Sequence, residues 1–248
     1  MDFFRLILYI IFGILPSLAW LFYYLQKDLH PEPKRMIVKI FLWGSFITVP
    51  VFLLQVALIT LSNQLHYISF FNNYPGAIEI IKWFFIIAFI EETFKYIVVK
   101  MNVLGSYALD EPLDIMLYMV VAALGFAAVE NILYLFSPAG NLSFASIIEA
   151  AMAVSLIRFI GATFLHTLCS GLVGYFMAKS SLRAKKRFRM TILGIILATL
   201  LHGLYDFSII TLQSPLVWIV PAMIIIGLAL FMMYDFDEIK KVKSICKI

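Results

Sequence analysis

The chain has 248 residues, of which 63% are hydrophobic and only 14% are charged, and its mean hydropathy is +0.97. This composition excludes a soluble globular domain, because such a domain does not contain several uninterrupted apolar stretches of about 20 residues. The formal net charge of +4 does not indicate nucleic-acid binding, since excess lysine and arginine in a membrane protein usually mark its cytoplasmic loops.

Seven apolar segments follow one another along the chain, and each is long enough to cross a bilayer as a helix. They are residues 3–25, 40–61, 80–99, 113–136, 147–178, 190–212 and 216–234. The fifth segment is longer than a bilayer requires, so we expect it to be tilted, broken or extended beyond the membrane. The sequence therefore predicts an all-α, polytopic bundle of about seven transmembrane helices. We expect one domain over residues 1–248, with a basic cytoplasmic tail from about residue 235.

Basic residues are distributed unevenly between the two sides of this predicted bundle. Fifteen of the 19 lie in the loops after segments one, three and five or in the tail. The three opposite loops, residues 62–79, 137–146 and 213–215, contain none. By the positive-inside rule, the N-terminus is predicted outside and the C-terminus in the cytoplasm.

The third segment carries two adjacent carboxylates and a lysine, Glu91, Glu92 and Lys95, inside an apolar run. Each charge at the centre of a membrane helix costs roughly 2.5–3.5 kcal/mol on insertion scales. Such residues face protein or trapped water, and they are candidates for function by default. Lys95 follows the two glutamates by four and three residues, so on a helix its ammonium can reach either carboxylate.

Three further segments carry polar groups that can bind metal or substrate. They are Glu130 and Asn131 in segment four, Arg158 and His166 in segment five, and His202 and Asp206 in segment six. At a rise of 1.5 Å per residue, the acids and histidines of all four segments fall at similar depths in a hydrocarbon core about 30 Å thick. Four helices that direct acids and histidines to one depth indicate a shared site.

Metal-assisted hydrolysis is the chemistry that uses such a set of side chains. Catalytic zinc takes His, Glu or Asp ligands and a water, which predicts His166, His202 and Glu130 as ligands. Asp206, four residues after His202, is expected to bind the metal or to orient His202. Glu91 or Glu92, next to Lys95, would be the general base. Asn131 and Arg158 are candidates for substrate binding, although Arg158 could instead pair with a lipid headgroup or with Glu149.

The motifs together resemble the PrsW family of intramembrane proteases. Residues 91–95 fit the pattern EExxK, residues 126–130 fit FxxxE, and residues 202–206 fit HxxxD. The histidine stretch that begins at His166 and the segment from Lys27 to Arg35 are also similar. The family is distantly related to the CAAX prenyl endopeptidases, which have a histidine where this chain has Glu130.

This resemblance implies a multi-pass protease of the bacterial plasma membrane that cuts a single-pass, membrane-anchored protein. In the best-known members the substrate is an anti-sigma factor, which is cut in its extracytoplasmic part as a first step toward releasing a sigma factor. The functional residues of the family carry over as Glu91, Glu92 and His202. Glu130, His166 and Asp206 match the other motif positions. Zinc, by contrast, is expected from the chemistry of the ligand set.

Three other functions use the same residues. A transporter or proton and cation relay would line its path with them, although the chain has no internal repeat of the kind common in transporters. An inactive scaffold would only bind a partner helix, and its cellular output would survive the replacement of Glu91 or His202. A prenyl-protein endopeptidase would require lipidated substrates, and the glutamate at position 130 argues weakly against it.

Overall fold

The computed structural model describes residues 3–27, 30–106, 108–136, 144–181 and 184–240. These residues form ten α-helices and contain no β-strand, which confirms the predicted all-α class. The helices are α1 (Phe3–Leu25), α2 (Lys34–Asn63), α3 (Ser69–Asn73), α4 (Pro75–Ile80), α5 (Phe89–Asn102), α6 (Pro112–Leu135), α7 (Phe144–Ile160), α8 (Ala162–Ser181), α9 (Ala184–Thr211) and α10 (Leu216–Lys240). A 3₁₀ turn, Gln64–Tyr67, follows α2, and a π-helical segment, Ile81–Ala88, joins α4 to α5.

Six helical stretches of the described residues are long and apolar enough to cross a membrane. They are Phe3–Leu25, Lys34–Leu65, Pro112–Leu135, Ser146–Ser180, Arg187–Thr211 and Leu216–Tyr234. These six correspond to six of the seven predicted segments. The number of crossings and the orientation of the chain remain predictions.

The predicted third segment, residues 80–99, differs from the other six. It is helical, but it is divided between the π-helical segment and α5, and it carries Lys82 in addition to Glu91, Glu92 and Lys95. A helical path nevertheless continues from Pro75 to Asn102. At the other end of the chain, α10 extends to Lys240, and residues 241–248 of the predicted tail lie outside the described residues.

The long fifth segment is broken at Gly161, where α7 ends and α8 begins. A Cβ atom at this position would lie 2.6 Å from the Tyr205 hydroxyl oxygen and 2.9 Å from the Ile157 carbonyl oxygen. Glycine is therefore required for the close approach of α9 to the α7–α8 junction. The junction places Arg158 just before the break and His166 just over one turn after it.

Helix α6 lies at the centre of the bundle, and 19 of its 24 residues are buried. It packs against α1, α2 and α8. On α2, a Cβ atom at Gly44 would overlap the Ala122 carbonyl of α6, and one at Gly125 of α6 would overlap the Phe41 carbonyl of α2. Small residues that let two backbones approach are typical of membrane helix pairs. This packing fixes the helix that carries Glu130.

The π-helical segment packs on α9 and leads directly into the two glutamates of α5. The Phe89 N–H donates to the Phe84 carbonyl five residues earlier, and the Phe84 ring lies where a Cβ at Gly203 would be. Runs of π-helix are rare and occur frequently at functional sites. Here the π-helical segment ends three residues before Glu91.

Candidate active site

Helix α5 supplies three of the most buried charged side chains of the site. Glu91, Glu92 and Lys95 are 3%, 0% and 0% exposed, so all three charges are withdrawn from water and lipid. Lys95 Nζ lies 2.9 Å from Glu92 Oε1 and 3.4 Å from Glu91 Oε2. The expectation that Lys95 reaches both carboxylates is confirmed. Each buried charge therefore has an opposite charge in contact, which is the condition for carrying such groups inside a membrane protein.

His166 of α8 lies between these three side chains and α6. Its Nδ1 lies 2.7 Å from Lys95 Nζ, and its Nε2 lies 2.7 Å from Glu130 Oε2. An ammonium group can only donate, so Nδ1 is the acceptor and the proton of the ring is assigned to Nε2. Lys95 thus contacts the imidazole on the side opposite Glu130, and the Nε2 atom points toward Glu130.

His202 of α9 is held in the same manner. Its Nδ1 lies 3.1 Å from Glu92 Oε1, whereas its Nε2 lies 3.3 Å from Asp206 Oδ2. The His202 ring is perpendicular to the ring of His166, and their centroids are 4.9 Å apart. In each histidine, therefore, Nδ1 contacts a charged side chain of α5 (Lys95 for His166, Glu92 for His202), and Nε2 lies beside a carboxylate.

Glu91 and Glu92 differ in what they face. Glu91 lines a cavity of about 550 Å³, together with His166, His202, Glu130 and Asp206. Its Oε2 lies 3.8 Å from His166 Nδ1 and 4.0 Å from His202 Nε2. Glu92 does not line this cavity, which we call the catalytic cavity. Both Glu92 oxygens are already occupied, Oε1 by Lys95 and His202 and Oε2 by the hydroxyl of Ser170 at 2.9 Å.

The donor set fits a divalent metal ion. Glu91, His166 and His202 each offer a ligand atom, and these atoms lie within 4.8 Å of one another. Two imidazoles with carboxylates are the ligands that catalytic zinc uses, and the contact of Glu92 with His202 Nδ1 is the usual way in which a ligating histidine is oriented. Glu130 and Asp206, which the sequence predicts as ligands, lie beside the Nε2 atoms of the two histidines.

Arg158 and Asn131, the predicted substrate-binding residues, are linked to each other. Arg158 pairs with Glu130, with 2.9 Å between Nη2 and Oε2, and donates from Nε to Asn131 Oδ1. The amide of Asn131 also donates to Thr163 Oγ1 at 3.0 Å. Arg158 lines the catalytic cavity, whereas Asn131 does not. The charge partner of Arg158 is thus Glu130.

Two polar residues of the site were not predicted from the sequence. Gln55 of α2 donates from Nε2 to Glu91 Oε1 at 3.1 Å, and Ser170 of α8 donates to Glu92. Gln55 had a detectable signal, because it is the single side-chain amide in the apolar segment 40–61, and polar groups in membrane helices usually bond to another helix. Ser170 had none, since serine is common in membrane helices.

The catalytic cavity has charged and histidine side chains at its inner end, and most of its remaining lining residues are apolar. Phe52, Val56 and Ile59 of α2 form one wall, and Leu133 and Phe136 at the end of α6 form another. Ile59 and Phe136 lie near the ends of α2 and α6 that are remote from the basic loops. We use the name charged cluster for the ionisable groups of the site, namely Glu91, Glu92, Lys95, Glu130, Arg158, His166, His202 and Asp206. The cavity therefore extends from the charged cluster toward the face that is predicted to be extracytoplasmic.

Comparison with known proteins gives one consistent result. Residues 32–234 match the family described as PrsW family intramembrane metalloprotease. The chain is 30% identical to Protease PrsW of Oceanobacillus iheyensis over 214 residues, which is 86% of this chain and 88% of the relative. It is 27% identical to Protease PrsW of Bacillus subtilis over 237 residues, 94% of each chain. Protease PrsW of Clostridioides difficile is 30% identical over 199 residues, 79% of this chain and 76% of the relative. No solved structure matches the chain.

Proposed function

The chain belongs to the PrsW family of intramembrane proteases, and from this premise we propose that it is a zinc-dependent endopeptidase that cuts a single-pass membrane protein. The observation that carries the proposal is that two histidines and a carboxylate, His166, His202 and Glu91, each place a nitrogen or oxygen atom within 4.8 Å of the others beside a cavity of about 550 Å³. Two imidazoles and several carboxylates at the wall of a cavity are the groups that metal-assisted hydrolysis requires.

His166 and His202 would hold the ion, together with Glu130 on one side of the cavity and Asp206 on the other. Glu130 and Asp206 are not in the group of three residues whose ligand atoms lie within 4.8 Å of one another, so their carboxylates would turn toward the ion to bind it. Each pair consists of an Nε2 atom and a carboxylate oxygen, 2.7 Å apart for the first pair and 3.3 Å for the second. When bound, the metal supplies Lewis acidity that polarises the scissile carbonyl and makes a water more acidic.

Glu91 is the general base in this proposal, in preference to Glu92. It lines the cavity, and the amide of Gln55 holds its Oε1, which leaves Oε2 to face the two histidines. Two ligands bound to a tetrahedral zinc at about 2.1 Å lie about 3.4 Å apart. Glu91 Oε2 is 4.0 Å from His202 Nε2, which suits a carboxylate that takes a proton from water beside the metal.

Glu92 and Lys95 are positioning residues, because they act through the two histidines. Glu92 accepts from His202 Nδ1, which leaves Nε2 of that ring free to bind the ion. Lys95 donates to His166 Nδ1, so a neutral His166 carries its proton on Nε2. For His166 Nε2 to bind the ion, that proton must move to Nδ1 and the Lys95 ammonium must turn to the two glutamates. The partners of a metal ligand typically change metal affinity or activity 10–100-fold when they are removed.

The substrate in this proposal is an anti-sigma factor or a similar single-pass protein, cut on its extracytoplasmic side. Two observations support that side. The apolar walls of the catalytic cavity lead toward Ile59 and Phe136, and the basic loops lie at the opposite ends of the same helices.

Zinc content and cleavage, measured on the same purified proteins, test the proposal. Wild type should contain about one zinc per chain. His202→Ala should lose the zinc and the activity, whereas Glu91→Gln should keep the zinc and lose cleavage by about 10²–10⁴-fold, the usual contribution of a general base. The substrate is sought by comparing the N-termini of membrane-protein fragments from cells that express wild type or Glu91→Gln.

Each alternative predicts a different result from these proteins. Zinc loss in Glu91→Gln would make Glu91 a ligand and overturn its role as the base. A wild-type protein without metal that still cuts would overturn the metal mechanism. A protein with neither metal nor cleavage would favour the proton or cation relay, which ion-flux measurements in vesicles can detect.

A further inference from the structure

A second cavity of about 280 Å³ opens beside the catalytic cavity, between α7 and α9. Its walls are Val154 and Ile157 of α7 and Tyr205, Ile209 and Ile210 of α9. The two cavities share lining residues, which are Trp83, Tyr134, Arg158, Ala162 and Asp206. They therefore adjoin, and the shared residues form the boundary between them. We call the second cavity the lateral portal.

The mouth of the lateral portal faces lipid. Ile157, Ile209 and Ile210 are 72%, 41% and 61% exposed, and all three lie in stretches long and apolar enough to cross a membrane. The helices on the two sides have different principal neighbours, since α7 packs mainly on α1 and α8, whereas α9 packs on α8, α10 and the π-helical segment. A polypeptide in the membrane can reach the portal without first entering water.

The inner end of the portal is polar, unlike its mouth. Arg158 lies there with its guanidinium carbon 3.9 Å from the centre of the Tyr134 ring, and Asp206 lies beside His202. A substrate helix that unwinds must find new partners for its backbone N–H and C=O groups, because each unpaired group in hydrocarbon costs several kcal/mol. Arg158 and Asp206 can supply such partners at the entrance to the catalytic cavity.

The catalytic cavity also opens on a second side. Phe52 and Val56 of α2 are 43% and 47% exposed, and Phe136 at the end of α6 is 38% exposed; none of the three lines the lateral portal. The charged cluster thus lies between two openings, one between α7 and α9 and one between α2 and the end of α6. An endopeptidase needs such a passage, since its substrate continues on both sides of the scissile bond.

We propose that the transmembrane segment of the substrate enters through the lateral portal, unwinds past Arg158 and Asp206, and leaves between α2 and α6. This inference rests on the proposed protease function and adds the route by which the substrate reaches Glu91. A water-soluble fragment that contains the same scissile bond does not need the portal, because it can enter between α2 and α6 from the membrane surface.

The test narrows the portal without touching the charged cluster. Ile157→Trp combined with Ile210→Trp adds bulk to both walls, and neither residue lines the catalytic cavity. Ile157 and Ile210 are 72% and 61% exposed, so the larger side chains do not disturb a buried contact. Leu156→Trp combined with Leu200→Trp is the matched control, since these residues lie on the same two helices and are 61% and 49% exposed. The probes are the membrane protein found by the fragment comparison, in vesicles of phosphatidylethanolamine and phosphatidylglycerol, and its fragment without the transmembrane helix.

The portal variant should cut the membrane-anchored form at least about tenfold more slowly, with the zinc content of wild type, while the control cuts it at the wild-type rate. Where wild type also cuts the fragment, the portal variant should cut it at nearly the wild-type rate. Unchanged cleavage of the anchored form would overturn the portal, and so would equal loss with both double variants or with both substrate forms. Failure of the protease function itself is a separate result, in which wild type and Glu91→Gln do not differ.

Discussion

Replacing Lys95 with methionine removes an ammonium that contacts Glu91, Glu92 and His166 at once. Lys95 and Glu92 are both fully buried and 2.9 Å apart, so the replacement leaves an uncompensated carboxylate in the interior. Breaking a buried pair by removing one partner costs about 3–5 kcal/mol. We expect Lys95→Met to lower the free energy of unfolding by about this amount. Glu92→Gln should have a smaller effect, because the Lys95 ammonium keeps the Glu91 carboxylate as a partner at 3.4 Å.

The double variant Lys95→Met and Glu92→Gln removes both charges, and it should be more stable than Lys95→Met alone, which leaves both Glu91 and Glu92 without the ammonium. The expected coupling between the two sites is at least about 2 kcal/mol. Cleavage should nevertheless stay low in the double variant, because His202 Nδ1 has lost its carboxylate partner. Equilibrium unfolding in mixed detergent micelles measures the free energies, and cleavage of the reconstituted substrate measures activity.

Lys82 provides the matched control, since it pairs with Glu79 at 3.0 Å with the same three-residue spacing but is partly exposed. Lys82→Met should cost less than about 1 kcal/mol. Additive effects of the two replacements at positions 95 and 92 would refute the reasoning, because they would show that the two charges do not depend on each other.

Three further predictions concern neutral residues around the charged cluster. Gln55→Leu frees Glu91 Oε1 and should lower cleavage by about 10–100-fold with little change in zinc content. Ser170→Ala leaves Glu92 Oε2 without its hydroxyl donor and should cost about 1–3 kcal/mol of unfolding free energy. Gly125→Val forces α6 away from α2 and should cost at least about 1–3 kcal/mol, the range for overpacking a core.

Controls on the same helices separate these effects from general damage. Thr60→Val on α2 removes an exposed hydroxyl that bonds only to its own helix, so it should leave cleavage unchanged. Wild-type cleavage in Gln55→Leu would show that Glu91 does not need this donor. Wild-type stability in Ser170→Ala or Gly125→Val would contradict the contacts on which these two predictions depend.

The sequence predicts most of the fold because hydrocarbon offers no hydrogen-bond partners to the backbone, which leaves few possible structures for a spanning segment. A helix satisfies its own backbone in lipid, so an apolar run of about 20 residues predicts a spanning helix. Two features needed information that the sequence does not carry locally. Phe84 of the π-helical segment packs against Gly203, and Gly161 at the break packs against Tyr205, so both features contact residues of α9 that are distant in sequence.

The candidate site is predictable to a similar extent and for a related reason. Charges in apolar runs are costly, so Glu91, Glu92, Lys95, His166 and His202 stand out without any structure. The sequence cannot decide which glutamate faces the cavity. Neighbouring residues on a helix point about 100° apart, and the sequence does not give the rotation of α5 about its own axis. Gln55 is harder to identify, since an uncharged amide costs less to bury and its partner lies 36 residues away.

Charge balance gives a second reason for a divalent ion, in addition to the spacing of the ligand atoms. The cluster holds four carboxylates, those of Glu91, Glu92, Glu130 and Asp206, and two permanent cations, those of Lys95 and Arg158. With neutral imidazoles its formal charge is −2, and a membrane interior cannot hold such an excess without compensation. The positive charge of Lys95 compensates the charge of Glu92, and that of Arg158 compensates the charge of Glu130. The charges left over are those of Glu91 and Asp206, which both line the catalytic cavity and flank His202 Nε2 at 4.0 and 3.3 Å. The uncompensated charge therefore lies where a divalent cation would bind.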